Sequence, residues 1–273
     1  MKLDKFKQEM ATVYDRRRDT YDTGKSGKWH QDLACRLVKC VDLKKGQKVL
    51  DLATGTGMVA IEAAEQVGSE GQIIGVDISE GLLSVAKQKS DRQQLTNITF
   101  KLADIETLEF PENSFDRILC CSALPLLTDV PQDLRLWRKF LNSTGKIGLC
   151  VFAETAFVHG VVLQKVARRY GVNIVMSDLT GTPNKCNSLL LEAGYKNIQI
   201  TTEQYGSYIP YEPSKNDRSW DISLQHPHCH PLLDLSSQQL EQVKAEYIAE
   251  LEVLVTEKGI WNDMTTYFVV AAK

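Results

Sequence analysis

The clearest chemistry in the chain lies in nine residues, Val49-Leu50-Asp51-Leu52-Ala53-Thr54-Gly55-Thr56-Gly57, and in an acid twenty positions beyond them, Asp77. An apolar run over 48–52 ends in a turn with two glycines, and a helix-compatible run, 58–64, begins at once. A second apolar run, 72–76, then delivers Asp77 at its tip. Strand, glycine turn, helix, strand, acid is the order of a βαβ nucleotide-binding unit. Glycine lets backbone approach a ligand where a Cβ would collide. An acid at the tip of the second strand can accept both hydroxyls of a ribose.

Asp51 lies inside the motif, four residues before Gly55. A carboxylate there repels the pyrophosphate that dinucleotide enzymes seat on the helix N-terminus. It suits a ligand with a cationic head group, and S-adenosylmethionine carries an ammonium, a sulfonium and a ribose. Asp51-x-x-x-Gly55-x-Gly57 resembles motif I of the class I S-adenosylmethionine-dependent methyltransferases. Phe100 to Ile105 is a short strand ending in an acid, Asp104, and Phe110-Pro111-Glu112-Asn113-Ser114-Phe115-Asp116 is similar to another stretch of that family. The likeness covers about 14–154 and returns at Leu189–Tyr195, where Gly194 closes a helix. Leu141-Asn142-Ser143-Thr144-Gly145 stands where the family usually turns on K-P-G-G. In spacing, the chain most resembles the ubiquinone/menaquinone C-methyltransferase group and its natural-product relatives.

The resemblance implies a set of roles. Asp51, Ala53, Gly55, Thr56 and Gly57 would form the cofactor loop, and Asp77 and Ile78 would flank the ribose. Asp104 would approach the adenine amino group, Ile105 would cover the ring, and Cys121 would end the fourth strand beside them. Tyr14 and Tyr21 fall in the family's lid region, where a tyrosine often reaches the cofactor carboxylate. The implied cofactor is S-adenosylmethionine, with S-adenosylhomocysteine as product and a small, ring-containing molecule as acceptor. Two other readings stay open on the residues alone: an NAD-dependent oxidoreductase built on the same βαβ unit, and a protein that binds S-adenosylmethionine without transferring its methyl group.

Methyl transfer proceeds by in-line displacement, so most of the catalysis is alignment. A base is needed only where the acceptor must lose a proton, and histidine suits that task near neutral pH. The candidates are His30 in the lid region, His159 after the fifth strand, and His226, His228 and His230 in the stretch 226–231. Read as an extended loop, 226–231 puts alternate histidines on one side; the crowded spacing is poor for zinc, and no metal is expected. Many relatives carry a histidine pair at the positions of Pro125 and Leu126; here an apolar floor takes its place. Asp129 reads as a helix cap ahead of Pro131.

The elements that position these residues follow from periodicity. Phe6, Met10 and Tyr14, then Leu33, Leu37, Val38 and Val41, mark helices in 1–45 that would form a lid, with a glycine-bearing polar stretch between them. Strands are expected near 47–52, 72–77, 98–102, 116–121 and 146–152, with helices near 57–66, 80–89 and 131–142. A helix over 154–170, a strand near 198–201 and a last strand at 267–271 complete the chain. The fold class is α/β: a Rossmann-like, seven-stranded, mostly parallel sheet with helices on both faces. The expected organisation is a lid (1–45), a core (46–202), a substrate-side insertion with a long helix from 237 (203–262) and the last strand (263–273). The insertion should help wall the acceptor site.

Composition is ordinary for a soluble globular protein: 273 residues, 43% hydrophobic and 25% charged. A net charge of −3 gives no bulk attraction for nucleic acid, and the one basic run, Arg16-Arg17-Arg18, is flanked by Asp15 and Asp19. Seven scattered cysteines suggest no disulfide framework, and no apolar run reaches the length of a membrane span. The expected compartment is the cytoplasm.

Overall fold

The computed structural model describes residues 3–213 and 216–273. In chain order the elements are α1 (Lys5–Arg17), α2 (Gly24–Val41), β1 (Lys48–Leu52), α3 (Met58–Val67), β2 (Gln72–Asp77), α4 (Glu80–Arg92), β3 (Ile98–Leu102), β4 (Phe115–Cys121), α5 (Val130–Phe140) and β5 (Leu141–Phe152). They continue with α6 (Val158–Arg169), α7 (Pro183–Glu192), β6 (Lys196–Glu203), β7 (Gly206–Ile209), α8 (Asn216–Leu224), α9 (Ser237–Val253), β8 (Ile260–Asp263) and β9 (Thr266–Ala272). These group into two compact units. The first holds residues up to Val151, Pro183–Thr201 and Tyr267–Lys273; the second holds Phe152–Thr182 and Thr202–Thr266.

In the first unit a seven-stranded sheet runs β3-β2-β1-β4-β5-β9-β6. The pairs β1–β2, β1–β4, β2–β3 and β4–β5 are parallel. Strands covered on both faces read as continuous apolar runs, and Val49, Leu50, Leu52, Ile118, Leu119 and Cys120 are fully buried. Leu52 pairs with Val76 on one side and with Cys120 on the other. The strand ends carrying the glycine turn, Asp77 and Cys121 therefore lie side by side. The strand order reverses between β1 and β4, and ligands of open α/β sheets bind in the crevice at such a reversal.

Most expected elements stand within one to three residues of their predicted ends, and two local readings need correction. Gly24 and Gly27 do not form a flexible link, because α2 already begins at Gly24. A Cβ on Gly27 would lie 2.2 Å from the backbone carbonyl of Asp22, so this glycine packs the preceding turn against the helix. The turn expected over 141–145 belongs to β5. The register jumps from Phe115↔Leu141 to Arg117↔Lys146, and a bulge absorbs the extra residues. Asp129 caps α5 as expected, accepting the Gln132 N–H at 3.0 Å with Pro131 in the first turn.

The second unit combines the segment after β5 with the insertion, so 152–182 groups with 202–266 rather than with the sheet. It has its own core, in which Val162, Val166, Leu232, Val243, Tyr247 and Leu251 are buried together. β7 and β8 form an antiparallel pair, Gly206↔Asp263 to Ile209↔Ile260. The segment 227–234, read above as extended, is a 3-10 helix headed by His226. Proline fixes φ at a value that both conformations share, so Pro227 and Pro231 do not distinguish them. Among the described residues no helix is long and apolar enough to cross a membrane.

Candidate functional site

The turn after β1 is held in an unusual backbone shape. Ala53, Gly55 and Gly57 all have positive φ, at 52°, 56° and 78°. Backbone bonds from Thr54 N–H to the Val76 carbonyl (2.9 Å) and from Gly57 N–H to the Thr54 carbonyl (2.8 Å) fix it against β2. Asp77 completes the frame. One carboxylate oxygen accepts the Gly55 N–H at 2.8 Å, and the other accepts the Ser79 N–H at 2.9 Å. Burial raises its pKa, against the pull of these backbone donors. The acid placed at the ribose by sequence therefore also shapes the loop that would carry the ligand.

Two loop residues do something other than expected. The Asp51 carboxyl is 1% exposed and does not line the cleft; it accepts the Thr54 hydroxyl beneath the turn. Burial pushes its pKa up to about 7. Asp51 thus braces the turn from below. A side chain on Gly57 would meet Ala86 Cβ at 3.0 Å and Phe100 at 3.3 Å, so packing and a positive φ demand this glycine, not a ligand. Gly55 has only Leu82 near it, at 3.9 Å, and opens on the cleft.

The Asp51 shift has a sign that can be measured. An unfolded aspartate titrates near 3.9. Between about pH 4 and pH 7 the folded chain holds a proton at Asp51 that the unfolded chain has lost, so this group's stabilising contribution declines as pH rises through that window. Asp51→Asn should flatten that decline in the ligand-free thermal midpoint. An unchanged slope would show that the carboxyl is ionised in the fold.

At the other end of the cleft, Asp104 and Glu106 face Lys7 from α1. The Lys7 ammonium lies 2.7 Å from Asp104 and 3.1 Å from Glu106. Trp137 on α5 donates its indole N–H to the Ile105 carbonyl at 3.0 Å and anchors this wall. Asp133, one turn earlier on α5, is buried with one carboxyl oxygen unpartnered, and burial and nearby Glu106 push its pKa up to about 7. Sequence reasoning found Asp104 and Ile105 but missed Lys7.

The N-terminal segment docks on the sheet unit through charged contacts. Asp15 accepts the Ser79 hydroxyl at 2.6 Å and the Gly81 N–H at 2.8 Å, at the start of α4. Asp22 accepts the Thr56 hydroxyl at 2.6 Å and pairs with Lys89 at 2.8 Å. Thr56 is thus a lid contact as well as a loop residue. Between these latches Arg17 sits over the rings of both Tyr14 and Tyr21. Burial raises both phenols. His30 stacks on Tyr21, ring centroids 4.9 Å apart and nearly parallel. Its Nδ1 is buried with no hydrogen-bond partner among the described residues. Burial and the Arg17 guanidinium lower its pKa from the usual 6.5.

One cleft gathers several of these groups. Lys7, Tyr14, Tyr21, Ala53, Gly55, Asp77, Ile78, Asp104, Ile105 and Cys121 line it, with Met10, Leu82, Leu126 and Leu127 as apolar wall. A smaller recess beside it is lined by His30 and Thr56 and shares Tyr21, Ala53, Gly55 and Cys121. Every lining residue belongs to the first unit. The other candidate bases lie in the second. His159 Nδ1 is 2.6 Å from the Tyr247 hydroxyl, in that unit's core. His226 heads the 3-10 segment, and its ring stacks on that of His228. The extended-loop argument that aligned 226, 228 and 230 on one side no longer applies.

Residues 43–217 match a sequence family described as a methyltransferase domain. The chain belongs to the class I S-adenosylmethionine-dependent methyltransferases. It is 30% identical over 169 residues to the ubiquinone/menaquinone biosynthesis C-methyltransferase UbiE of Idiomarina loihiensis, covering 62% of this chain and 64% of that one. It is 30% identical over 142 residues to the aklanonic acid methyltransferase DauC of Streptomyces sp. strain C5, covering 52% and 64%. The chain thus spans just under two thirds of these relatives' length. Haemonchus contortus phosphoethanolamine N-methyltransferase 2, solved with phosphomonomethylethanolamine and S-adenosylhomocysteine, shares the fold at a TM-score of 0.62 and 16% identity, over 99% of this chain and 60% of that one. The cleft of this methyltransferase fits the family's cofactor. Asp77 offers paired acceptors for a diol, the apolar residues offer a slot for a flat ring, and the acids outnumber the one lining cation. That charge balance opposes a pyrophosphate, and the oxidoreductase reading finds no support.

Proposed function

We propose that this chain is an enzyme that transfers the methyl group of S-adenosylmethionine to a small, ring-containing acceptor, uncharged or weakly acidic. One observation carries the reading: the ribose-type acid, an apolar slot and a neutral, unpartnered histidine converge on one cleft and its recess. Bound S-adenosylmethionine supplies an electrophilic methyl on a sulfonium. Asp77 holds the ribose, Ile78, Leu82 and Ile105 clasp the adenine, and Tyr14 and Tyr21 close the cleft from the lid against water. His30 Nδ1 takes the acceptor's proton where the acceptor has one to lose. Quinone-type rings are the acceptor class proposed, supported by the name of the quinone-biosynthesis relative above. Nucleic acid is not proposed as acceptor, given a net charge of −3. The cytoplasm is the proposed compartment, supported by seven cysteines scattered in sequence with no disulfide-framework spacing.

Calorimetry with S-adenosylhomocysteine and with NAD tests the cofactor, and labelled S-adenosylmethionine offered with reduced quinones tests the acceptor. Tight binding of S-adenosylhomocysteine, none of NAD, and label in a ring product are expected. Binding without transfer to any ring acceptor would leave a cofactor-binding protein and overturn the enzymatic reading.

A further inference from the structure

We infer that Cys121 and Cys150 form an oxidation site in the wall of the cofactor cleft. A peroxide joins the two sulfurs in a reversible disulfide, and that bond disables the cleft. The oxidation stands apart from the cofactor reading above; its effect on binding rests on that reading.

The sheet brings together two thiols that are far apart in sequence. Cys121 is the last residue of β4, and the register sets it directly beside Cys150 on β5. Parallel neighbours stand about 4.8 Å apart, inside the Cα separations of about 4.4–6.8 Å that a disulfide spans. Partnered residues of neighbouring strands point to the same face, whereas Cys120, one position earlier, points to the other. Ser122 then turns back with a φ of 65°, and its N–H meets the Cys150 carbonyl at 2.9 Å. Its hydroxyl lies 3.7 Å from Cys121 Sγ and 3.9 Å from Cys150 Sγ.

Exposure divides the roles. Cys121 is half-buried and lines both the cleft and the recess, while Cys150 is fully buried. Burial and a hydrogen bond to Cys121 hold the Cys150 thiol well above its usual pKa. Cys121 is thus the sulfur that a peroxide reaches, and Cys150 is the resolving thiol. Cys121 Sγ attacks the O–O bond, keeps one oxygen as a sulfenic acid and releases the other as water. Cys150 Sγ then attacks the sulfenic sulfur. The S–S bond forms, the S–O bond breaks, and the hydroxyl leaves with the Cys150 proton as a second water. A dithiol reverses the step by exchange.

Buried cysteines also serve as plain apolar packing, and Cys120 does no more than that. The Cys121–Cys150 pair differs in being in register with one member open to the cleft. The bond needs Cβ atoms about 3.8 Å apart, so the tip of β4 must be drawn toward β5 by about 1 Å. Cys121, Ser122 and Ala123 line the cleft, and β1 with its glycine turn lies on the other side of β4. The disulfide therefore pulls one wall of the cleft away from the turn that faces it.

The test adds hydrogen peroxide to the reduced full chain, then maps the peptides by mass and measures S-adenosylhomocysteine binding by calorimetry. A Cys121–Cys150 cross-link, loss of binding and recovery with dithiothreitol are expected. Cys150→Ala should instead hold Cys121 as a sulfenic acid that dimedone traps, and Cys120→Ala should cross-link as wild type does. Both thiols still reduced, a disulfide between other cysteines, or Cys121 carried to sulfinic acid beside a reduced Cys150 would each overturn the pair. Those outcomes are read on wild type, so they do not depend on a variant folding. A Cys121–Cys150 disulfide that leaves affinity unchanged would overturn its control of the cleft. A reduced chain that never binds S-adenosylhomocysteine would overturn the cofactor reading instead, and the cross-link would still decide the oxidation site.

Discussion

Asp77→Ala should weaken S-adenosylhomocysteine binding by about 1.5–3 kcal/mol, tenfold to over a hundredfold, and should also destabilise the ligand-free fold. The first effect is the loss of a charge-assisted, two-point acceptor for the ribose. The second follows from the loop. Asp77 accepts the N–H groups of Gly55 and Ser79, and its removal leaves both donors without that carboxylate. Buried donors left unpaired cost about 1–3 kcal/mol each. Asp77→Asn separates the two, since an amide oxygen can still accept one backbone N–H but lacks the charge. The pH dependence has a definite sign. Burial raises the Asp77 pKa, so the carboxylate is lost at a higher pH than an exposed aspartate's, and affinity should decline as pH falls through that raised value. Calorimetry with unchanged affinity in Asp77→Ala would sink the ribose assignment. Calorimetric loss without any drop in the thermal midpoint would sink the bracing role.

The cofactor half of this site is legible in sequence for a physical reason. Parallel strands buried on both faces appear as short apolar runs, and the residues that meet the ligand must follow each run directly. Asp77 and Asp104 stand out because an acid at the end of an apolar run has no other business there. What sequence hides is pairing at a distance. Lys7 is one of two lysines on its helix, and nothing local announces a partner 97 positions away. The same holds for Asp15 and Asp22, whose acids read as surface charge until α4 and the glycine turn are placed beside them. Gly57 shows a different loss. Its type is legible, but the neighbours that require it, Ala86 and Phe100, come from the next helix and strand. In the second unit, β7 and β8 are four residues each and lie some fifty positions apart, below the length at which alternation is readable.

His30→Ala should lower kcat by about 10²–10⁴ for acceptors that must lose a proton, with far less effect on S-adenosylhomocysteine affinity than Asp77→Ala has. Of the histidines proposed from sequence, it is the one that lines the recess joined to the cleft through Tyr21, Ala53, Gly55 and Cys121. Its chemistry fits a base. Burial and the Arg17 guanidinium hold the ring below its usual pKa, so at neutral pH it is uncharged and able to accept a proton. Nδ1 is buried and has no partner among the described residues, so a small opening of the recess would turn its lone pair toward the acceptor, while the stack on Tyr21 fixes the plane of the ring. His159, by contrast, directs Nδ1 to the Tyr247 hydroxyl. The wild-type rate should therefore rise with pH through a value below 6.5 and then level, as the imidazolium loses its proton. In His30→Ala that limb should vanish while the plateau drops. His30→Phe preserves a ring to stack on Tyr21 and removes both nitrogens. A full loss of rate there, with cofactor affinity kept, would assign the effect to the proton and not to the lid. If either variant turned over a phenolic or enolic acceptor at the wild-type rate with the acid limb intact, the base would have to be something other than His30.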